Sequence, residues 1–340
     1  MGGDYGCEVV IAGVKQALDA DRAITAVFLV GNEAELRSAQ EKVRLRDRRV
    51  EILHASEVLT MEDKPLEGIR RKKDSSMVRA IELVRDGKAD AVISPGNTGA
   101  LVAGSLKLRR LDGVERPALA ARMPSRANDF VLIDAGASPV CEPLHLAQFA
   151  VMGSVYAREL LGMTNPRVGI LSNGSEESKG NELTRVAARL CSQLDLNFIG
   201  YVEGFDLFED AVEVVVADGF TGNVVLKTSE SLGYAMMHLL RNELGATFLR
   251  KLGAIFSRGA LRSIRHRLDP EVYGGAVLLG LNGTVIKAHG AARERAMMNT
   301  IRVATEEISH GVNQIISQQI ARANERLAAV ETAVSPSVPA

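Results

Sequence analysis

Four short apolar segments in the sequence each run into a loop that combines glycine with polar or charged residues. The loops span residues 94–100, 173–181, 218–223 and 287–290. Glycine lets a backbone approach a ligand closely, and a helix amino terminus offers unpaired N–H groups to an anion. Because ligands in open α/β sheets bind outside the carboxyl ends of the strands, the four loops together predict a site for a phosphate-sized, oxygen-rich ligand.

Charged side chains in or beside these loops could carry the chemistry. Lys179 and Lys287 each place a positive charge near expected backbone donors, and His289 is of a residue type that suits acid–base catalysis near neutral pH. Asp134 and Asp218 end predicted strands, where a carboxylate orients a lysine or caps a helix. Taken singly, each lysine is also compatible with a solvated surface role, and His289 with a structural hydrogen bond. The uncharged residues that could hold phosphate or thioester oxygens, or close turns, are Asn97, Asn181 and Asn223.

The composition is that of an ordinary soluble globular protein, because 46% of the 340 residues are hydrophobic and 24% are charged. The sequence has no apolar run long enough to cross a bilayer and no secretory leader, which predicts a cytoplasmic location. A net charge of −1 argues against a nucleic-acid partner. Cys7, Cys141 and Cys191 have no metal-ligand spacing, so we expect reduced thiols.

Familiar catalytic motifs are missing from the sequence. There is no G-x-G-x-x-G after a strand, no G-x-S-x-G elbow and no H-E-x-x-H. These absences predict a reaction without a covalent nucleophile, a cofactor or a metal. Direct transfer, in which a bound anion attacks an acyl group, fits the residues that remain.

Alternating apolar strands and amphipathic helices predict an α/β fold with a Rossmann-like, mostly parallel sheet and helices on both faces. Strands are predicted at 26–30, 50–53, 91–93, 130–133, 168–171, 214–217, 276–279 and 284–286. Helices are predicted at about 33–44, 75–85, 145–161, 182–194 and 291–327, with a mostly helical segment over 229–268. We expect a single catalytic domain over 1–330, which could consist of two interleaved lobes, and a disordered tail over 331–340.

A series of short motifs resembles those of one bacterial enzyme family. The motifs are residues 1–4, 72–77, 94–101, 116–119, 134–137, 148–153, 177–181, 218–223, 226–228, 273–276 and 287–290. Each is weak, but their order across nearly the whole chain resembles the phosphate acyltransferase (PlsX) family. That family makes acyl phosphate from acylated acyl carrier protein and inorganic phosphate. The resemblance implies a fold similar to phosphotransacetylases and isocitrate dehydrogenases, a homodimer, and handover of acyl phosphate to a membrane glycerol-3-phosphate acyltransferase.

We also hypothesise roles for individual residues in these motifs. Phosphate would be held by Lys179, Lys287, His289 and the Asn97–Thr98 loop, while Asp134 and Asp218 would position the basic groups. Further phosphate- or substrate-binding candidates in the matching motifs are Asp4, Gly96, Gly99, Asn181, Asn223 and Lys227.

Two departures from the family pattern stand out. The family usually has a short apolar strand before the Met-Gly-Gly-Asp loop, so we expect an upstream strand that is missing here. The family more often has asparagine after the Gly-Ala pair that is Gly136–Ala137 here, which argues against a side-chain role at Ala137 but not at Asp134. A short-chain phosphotransacetylase that uses coenzyme A and a non-enzymatic carrier-binding or membrane-scaffolding protein are the alternatives.

Residues 244–268 combine apolar positions with basic residues and contain no acidic ones. A basic amphipathic segment suits an anionic membrane surface or an acidic partner such as acyl carrier protein. The alternative is a dimer-interface helix with a solvated basic side. Gly245, Gly253 and Gly259 argue against one unbroken helix. The candidate surface residues are Arg250, Lys251, Arg258, Arg262 and Arg265.

Overall fold

The computed structural model describes residues 1–334 and contains an eight-stranded sheet beside a two-stranded one. The strands are β1 (Val27–Gly31), β2 (Val50–His54), β3 (Ala91–Ser94), β4 (Ala118–Pro124), β5 (Asp129–Ile133), β6 (Arg167–Leu171), β7 (Asn197–Val202), β8 (Val214–Val216), β9 (Ala276–Leu279) and β10 (Thr284–Lys287). The helices are α1 (Gly6–Ala20), α2 (Glu33–Val43), α3 (Pro65–Arg71), α4 (Ser76–Arg85), α5 (Thr98–Ser105), α6 (Pro143–Leu161), α7 (Glu182–Cys191), α8 (Gly219–Gly245), α9 (Phe248–Phe256), α10 (Arg258–Leu268), α11 (Glu294–Ser309) and α12 (Val312–Val334).

The large sheet has the strand order β3-β10-β9-β4-β5-β8-β6-β7, and β1 pairs with β2 separately. The pairs β1–β2, β3–β10, β5–β8, β8–β6 and β6–β7 are parallel, which confirms the prediction of a mostly parallel sheet. The pairs that involve β4 or β9 are antiparallel.

Helices cover both faces of this sheet. Val131 and Ile133 of β5 belong to a core with residues of α6 and α12, whereas Phe130 and Leu132 belong to a core with residues of α4 and α5. Alternate residues of a strand point to opposite faces, so a strand buried on both sides is apolar throughout. This is why the continuous apolar run at 130–133 predicted the strand correctly.

Strand direction reverses within the sheet. Because β4 is antiparallel to β5 and β9, and β9 is antiparallel to β10, strands β3, β4 and β10 run opposite to β5–β9. The carboxyl ends of β3 and β10 therefore point away from those of β5, β6 and β8. The two sets of ends still meet near the middle of β4. Lys287 is level with Ala276 and Ala121, and Asp134 lies beside Leu119, two residues back along β4.

Several elements differ from the sequence-based expectation. Strands β4 and β7 and helix α1 were not predicted. The predicted helix at 291–327 is two helices, which separate at Gly311, where φ is +63°. The helical segment begins at Gly219, earlier than expected, and it is divided into α8, α9 and α10. Helix α12 continues to Val334, and the part of the predicted tail at 335–340 lies outside the described residues.

The first turn of α8 packs directly against the turn that follows β5. A Cβ atom at Gly222 would lie 1.9 Å from the carbonyl oxygen of Asp134. We therefore expect Gly222→Ala to lower the free energy of unfolding by roughly 3 kcal/mol or more, because backbone has to move. Urea unfolding measures the change.

The matched control lies in the same helix. A Cβ atom at Gly233 would meet nothing within 4 Å. Gly233→Ala should therefore stabilise the protein by up to about 1 kcal/mol through helix propensity. Equal effects of the two substitutions would contradict the close approach at Gly222.

Candidate active site

A cavity of about 1050 Å³ lies where the two sets of strand ends meet. Alternate residues of β4, namely Leu119, Ala121 and Met123, form its apolar floor. Polar and charged residues that line it include Asp4, Thr98, Arg122, Arg126, Asn223, Lys227, Glu230, Arg267, Glu271, Lys287 and His289. Its volume is just above the range of about 300–1,000 Å³ that is usual for small-molecule sites.

Lys287 brings a partly buried positive charge to this cavity. Its Nζ donates to the carbonyl oxygen of Pro95 at 3.3 Å and to that of Ala288. Burial, followed by the nearby charge of Lys227, lowers the pKa of Lys287 to about 8. The ammonium group therefore remains mostly protonated at pH 7, in a poorly solvated place where an anion is the favoured partner.

His289 lies two residues after Lys287 and lines the same cavity. Its Nδ1 accepts a hydrogen bond from the Ala291 N–H at 3.1 Å, so the neutral ring carries its proton on Nε2. Burial, and then the charge of Lys227, lowers the pKa of His289. The neutral ring is therefore favoured near pH 7, with one N–H that can donate to a ligand.

The amino terminus of α5 contributes backbone donors. Asn97 caps the helix, since its Oδ1 accepts from the Ala100 N–H at 3.0 Å. Its Nδ2 donates to the carbonyl oxygens of residues 60, 61 and 63 at 3.2–3.3 Å, so this side chain anchors the loop. Thr98 and Gly99 line the cavity, and N–H groups of the first turn have no acceptor within their own helix. Gly96 is buried, donates to Ser94 Oγ and is not among the lining residues.

The start of α8 and the first loop of the chain complete the polar side of the cavity. Lys227 and Asn223 line it, and Lys227 is paired with Glu230 at 2.7 Å. Asp4 also lines it, and its backbone N–H donates to the Gly290 carbonyl oxygen at 3.0 Å. Glu230 partly offsets the positive charge around Lys287 and His289.

The carboxylates of Asp134 and Asp218 accept hydrogen bonds from backbone N–H groups. Asp134 is fully buried and accepts from the N–H groups of residues 119, 136, 137 and 138. Burial raises the pKa of Asp134, and these four donors oppose that rise. Asp218 caps α8 by accepting from Phe220 and Thr221. Both carboxylates thus shape the turns that carry Gly136 and Asn223.

The loop after β6 lies apart from this cavity. Lys179 is exposed, Asn181 caps α7 through the Thr184 N–H at 2.9 Å, and neither residue lines the cavity. Strand β6 is five positions from β10 in the sheet, which corresponds to about 24 Å. The sequence argument assumed that all four loops share one edge of a sheet, and the position of β6 in the strand order, next to the edge strand β7, separates this one. A role of Lys179 in phosphate binding stays a prediction.

Sequence reasoning missed the apolar part of the cavity. The floor belongs to β4, and further lining residues are Phe208, Met236, Ile264 and Tyr273. The apolar residues before Pro124 were a usable signal for β4. Nothing in the sequence indicates that α8 and α10 would lie over this strand.

Residues 1–315 match the family described as fatty acid synthesis protein. A phosphate acyltransferase from Syntrophotalea carbinolica is 44% identical over 328 residues, which cover 96% of this chain and 94% of the relative. A phosphate acyltransferase from Pelotomaculum thermopropionicum is 44% identical over 321 residues, which cover 94% of this chain and 93% of the relative. The chain belongs to the phosphate acyltransferase (PlsX) family. This membership confirms the family resemblance and makes the protein an acyltransferase.

Solved structures show the same fold at low sequence identity. A phosphotransacetylase from Streptococcus pyogenes has a TM-score of 0.56 and 16% identity, over 94% of this chain and 91% of that one. A branched-chain phosphotransacylase from Enterococcus faecalis has a TM-score of 0.53 and 14% identity, over 90% of this chain and 97% of that one. The expected similarity to phosphotransacetylase folds is therefore confirmed.

The described residues, 1–334, lack two kinds of feature. No group of three or more His, Cys, Asp or Glu residues in this part of the chain is arranged to hold a metal ion. Within the same range, every helix is too short or too polar to span a membrane.

Proposed function

We propose that this protein transfers a fatty acyl group from acyl carrier protein to inorganic phosphate and releases acyl phosphate for phospholipid synthesis. One observation carries the proposal: the Lys287 cation, the His289 ring and the start of α5 line one end of a cavity whose floor is formed by the apolar residues Leu119, Ala121 and Met123 of β4. The first end suits a phosphate, and the second suits a hydrocarbon chain.

In the proposed reaction a phosphate oxygen attacks the thioester carbonyl carbon. The new C–O bond forms a tetrahedral oxyanion, and the C–S bond then breaks. Phosphate gives up its proton and the departing sulfur takes one up, directly or through solvent. Lys287 holds the phosphate, and His289 Nε2–H with the first-turn N–H groups of Thr98 and Gly99 stabilises the oxyanion. One such donor is typically worth about 3 kcal/mol, and the fixed geometry lowers the barrier further.

The acyl donor separates this proposal from its alternatives. The test measures free thiol released from acylated carrier protein and from the same acyl group on coenzyme A, with and without phosphate. Phosphate-dependent release that is much faster from the carrier protein supports the proposal. A preference for acetyl-coenzyme A would indicate a short-chain phosphotransacetylase, and no release at all would indicate a scaffold. The apolar floor of the cavity favours the long-chain donor.

We further propose that α9 and α10 form the docking surface for acyl carrier protein and for an anionic membrane. Neither helix contains a buried residue, and the Phe248 and Phe256 side chains are 79% and 84% exposed. Arg258, Arg262 and Arg265 lie on α10. This surface would deliver acyl phosphate to a membrane glycerol-3-phosphate acyltransferase. Exposed apolar residues of α8, Leu232 and Leu239 among them, would pair two copies as a homodimer.

Reversing the charges of α10 tests this surface. We expect Arg258→Glu/Arg262→Glu/Arg265→Glu to lower binding to vesicles that contain anionic lipid by at least about a hundredfold, because each basic residue near such a surface contributes about 1 kcal/mol. Vesicle flotation and a carrier-protein binding titration measure the effect.

The matched control reverses three exposed arginines elsewhere, Arg44, Arg46 and Arg48, and should leave both measurements unchanged. If the α10 variant also binds vesicles and carrier protein normally, the segment is a dimer-interface helix with a solvated basic side.

A further inference from the structure

A second cavity, of about 850 Å³, lies at the amino ends of β5, β6, β7 and β8. The residues that begin three of these strands, Asp129, Arg167 and Asn197, line it. The cavity is therefore at the opposite end of these strands from the turn that begins at Asp134. The proposed acyl transfer uses none of the residues that line this cavity alone.

Cations outnumber carboxylates in the lining of the second cavity. Three arginines, Arg122, Arg167 and Arg267, face the two carboxylates of Asp129 and Glu213. Arg122 is paired with Asp129, and Arg167 is paired with Glu213, so these four charges are balanced. One positive charge, that of Arg267, is left over.

Arg267 lies in the last turn of α10 and has no balancing carboxylate. Its Nη2 donates to the Ser125 carbonyl oxygen at 3.4 Å, and within residues 1–334 it forms no ion pair. The adjacent His266 also lines the cavity, and its Nδ1 accepts from Arg295 Nη2 at 3.1 Å, so the neutral ring carries its proton on Nε2. A guanidinium and an imidazole N–H are thus both available to an anionic group of a ligand.

The remaining polar lining suits hydroxyl groups. It includes the amide or hydroxyl side chains of Asn128, Thr164, Asn165 and Asn197. Amide and hydroxyl groups both donate and accept, as an alcohol requires of its partners. The lining contains one aromatic ring, Tyr273, and the Arg122 guanidinium lies over it, 5.5 Å from the centroid. A flat base therefore has little surface on which to stack, which favours a polyol over a nucleotide.

The second cavity shares a wall with the first cavity, which Lys287 lines. Arg122, Arg267 and Tyr273 line both, and the Tyr273 hydroxyl donates to the Arg267 carbonyl oxygen at 2.7 Å. Arg122 follows Ala121, which is level with Lys287 two strands away, or about 10 Å across the sheet. An anion held against this wall would therefore act electrostatically on the phosphate site.

We infer that the second cavity is a regulatory site for a small phosphorylated polyol or sugar, and that its occupation weakens phosphate binding in the first cavity. Arg267 and His266 hold the phosphate ester, and the amide and hydroxyl side chains hold the hydroxyl groups. The regulatory half of this inference rests on the proposed acyl transfer to phosphate. Two unit charges about 10 Å apart repel each other enough to lower affinity about twofold even in water, so the KM for phosphate should rise at least about twofold.

Calorimetric titration tests the binding half with glycerol 3-phosphate and glucose 6-phosphate. We expect both esters to bind, and their uncharged parents, glycerol and glucose, not to bind. Arg267→Gln should weaken the binding of each ester at least about tenfold, because it removes a charged hydrogen-bond donor. The control Arg189→Gln changes an exposed arginine outside both linings and should bind the esters like the parent.

A bulky side chain in the second cavity separates regulation from direct competition at Lys287. Thr164 lies in an exposed loop, so Thr164→Trp should fold normally and keep its acyl transfer in the absence of esters. Free-thiol release at varied phosphate concentration should show that this variant lacks the ester-induced rise in phosphate KM. The control Thr25→Trp changes an exposed threonine outside both linings and should retain that rise. Thermal unfolding checks that all the variants are folded.

The outcomes bear separately on the two proposals. A parent enzyme that shows no phosphate-dependent transfer overturns the proposed function, whereas the titrations still test the site. Failure of both esters to bind, or equal binding by the parent and Arg267→Gln, overturns the site. Ester binding that leaves the phosphate KM unchanged overturns the regulatory role. An inhibition that persists in Thr164→Trp is direct competition in the first cavity and overturns that role as well.

Discussion

Replacing Lys287 with alanine is expected to reduce kcat/KM for phosphate-dependent acyl transfer by a factor of about 10²–10³. Lys287 is a partly buried cation that lines the cavity, and it lies level with Ala121 on the apolar floor. Its loss removes the charge that would hold phosphate beside the acyl carbonyl. Free-thiol release from acylated carrier protein at varied phosphate concentration measures the change, and the KM for phosphate should account for much of it.

Two further alanine variants show which basic residues act together. His289→Ala should also cause a large loss, because His289 lines the same cavity. Lys179→Ala tests the predicted role of the loop after β6. A loss as large as that of Lys287→Ala would support it, whereas parental turnover would restrict the site to residues of the cavity. Lys88→Ala is the control, at an exposed position outside the cavity lining. It should leave the acyl-transfer activity unchanged. Parental activity in both Lys287→Ala and His289→Ala would reject the site.

The pH dependence offers an independent measurement of Lys287. Its pKa is lowered to about 8, so the ammonium form is lost as the pH rises through that value. Phosphate affinity should fall above about pH 8. Lys287→Arg keeps its charge at these pH values and should lack this decline. A parent enzyme whose phosphate KM is constant between pH 7 and 9.5 would contradict the assignment.

Replacing Glu307 with glutamine is expected to stabilise the protein by up to roughly 5 kcal/mol above pH 8. Glu307 of α11 is 2% exposed. Among the described residues, no donor lies within hydrogen-bond distance and angle of either carboxyl oxygen. Burial raises the pKa of Glu307 from 4.5 to about 8, and the nearby Thr284 opposes that rise only weakly. The folded state therefore favours the neutral carboxyl, which glutamine reproduces at every pH.

The sign of the effect follows from the two states of Glu307. Below about pH 4.5 the carboxyl is protonated in the folded and unfolded chains alike, and it causes no penalty. As the pH rises from there to about 8, the unfolded chain releases the proton and the folded protein keeps it, so stability falls. Urea unfolding at pH 5, 7 and 9 should show parent and Glu307→Gln diverging with pH.

The neighbouring residue supplies a matched control. Glu306 is partly exposed and paired with Arg302 at 2.6 Å. Glu306→Gln should change the free energy of unfolding by less than about 1 kcal/mol at any pH, as is usual for surface ion pairs. If the parent and Glu307→Gln have parallel pH curves, Glu307 is not a protonated buried group.

Much of the secondary structure could be predicted because buried positions are occupied by apolar residues, and these form recognisable patterns in the local sequence. The runs at 130–133 and 276–279 are apolar since both faces of β5 and β9 are covered, and the structure places strands at both. Strand β4 was not predicted, even though it lies in the middle of the sheet. Its residues include Arg122, which breaks the apolar run and pairs with Asp129.

The sequence by itself determined the family, the mostly parallel α/β architecture and the chemical character of the loops at Thr98 and Lys287. These properties depend on residue type and short-range order. Only the tertiary structure decided which loops meet, because strand direction is set by long-range pairing and leaves no trace in an apolar run. The reversal at β4 brings the end of β10 beside the turn after β5, whereas the strand order leaves the loop of Lys179 about 24 Å away along the sheet. The same pairing turned β4 into the floor of the cavity.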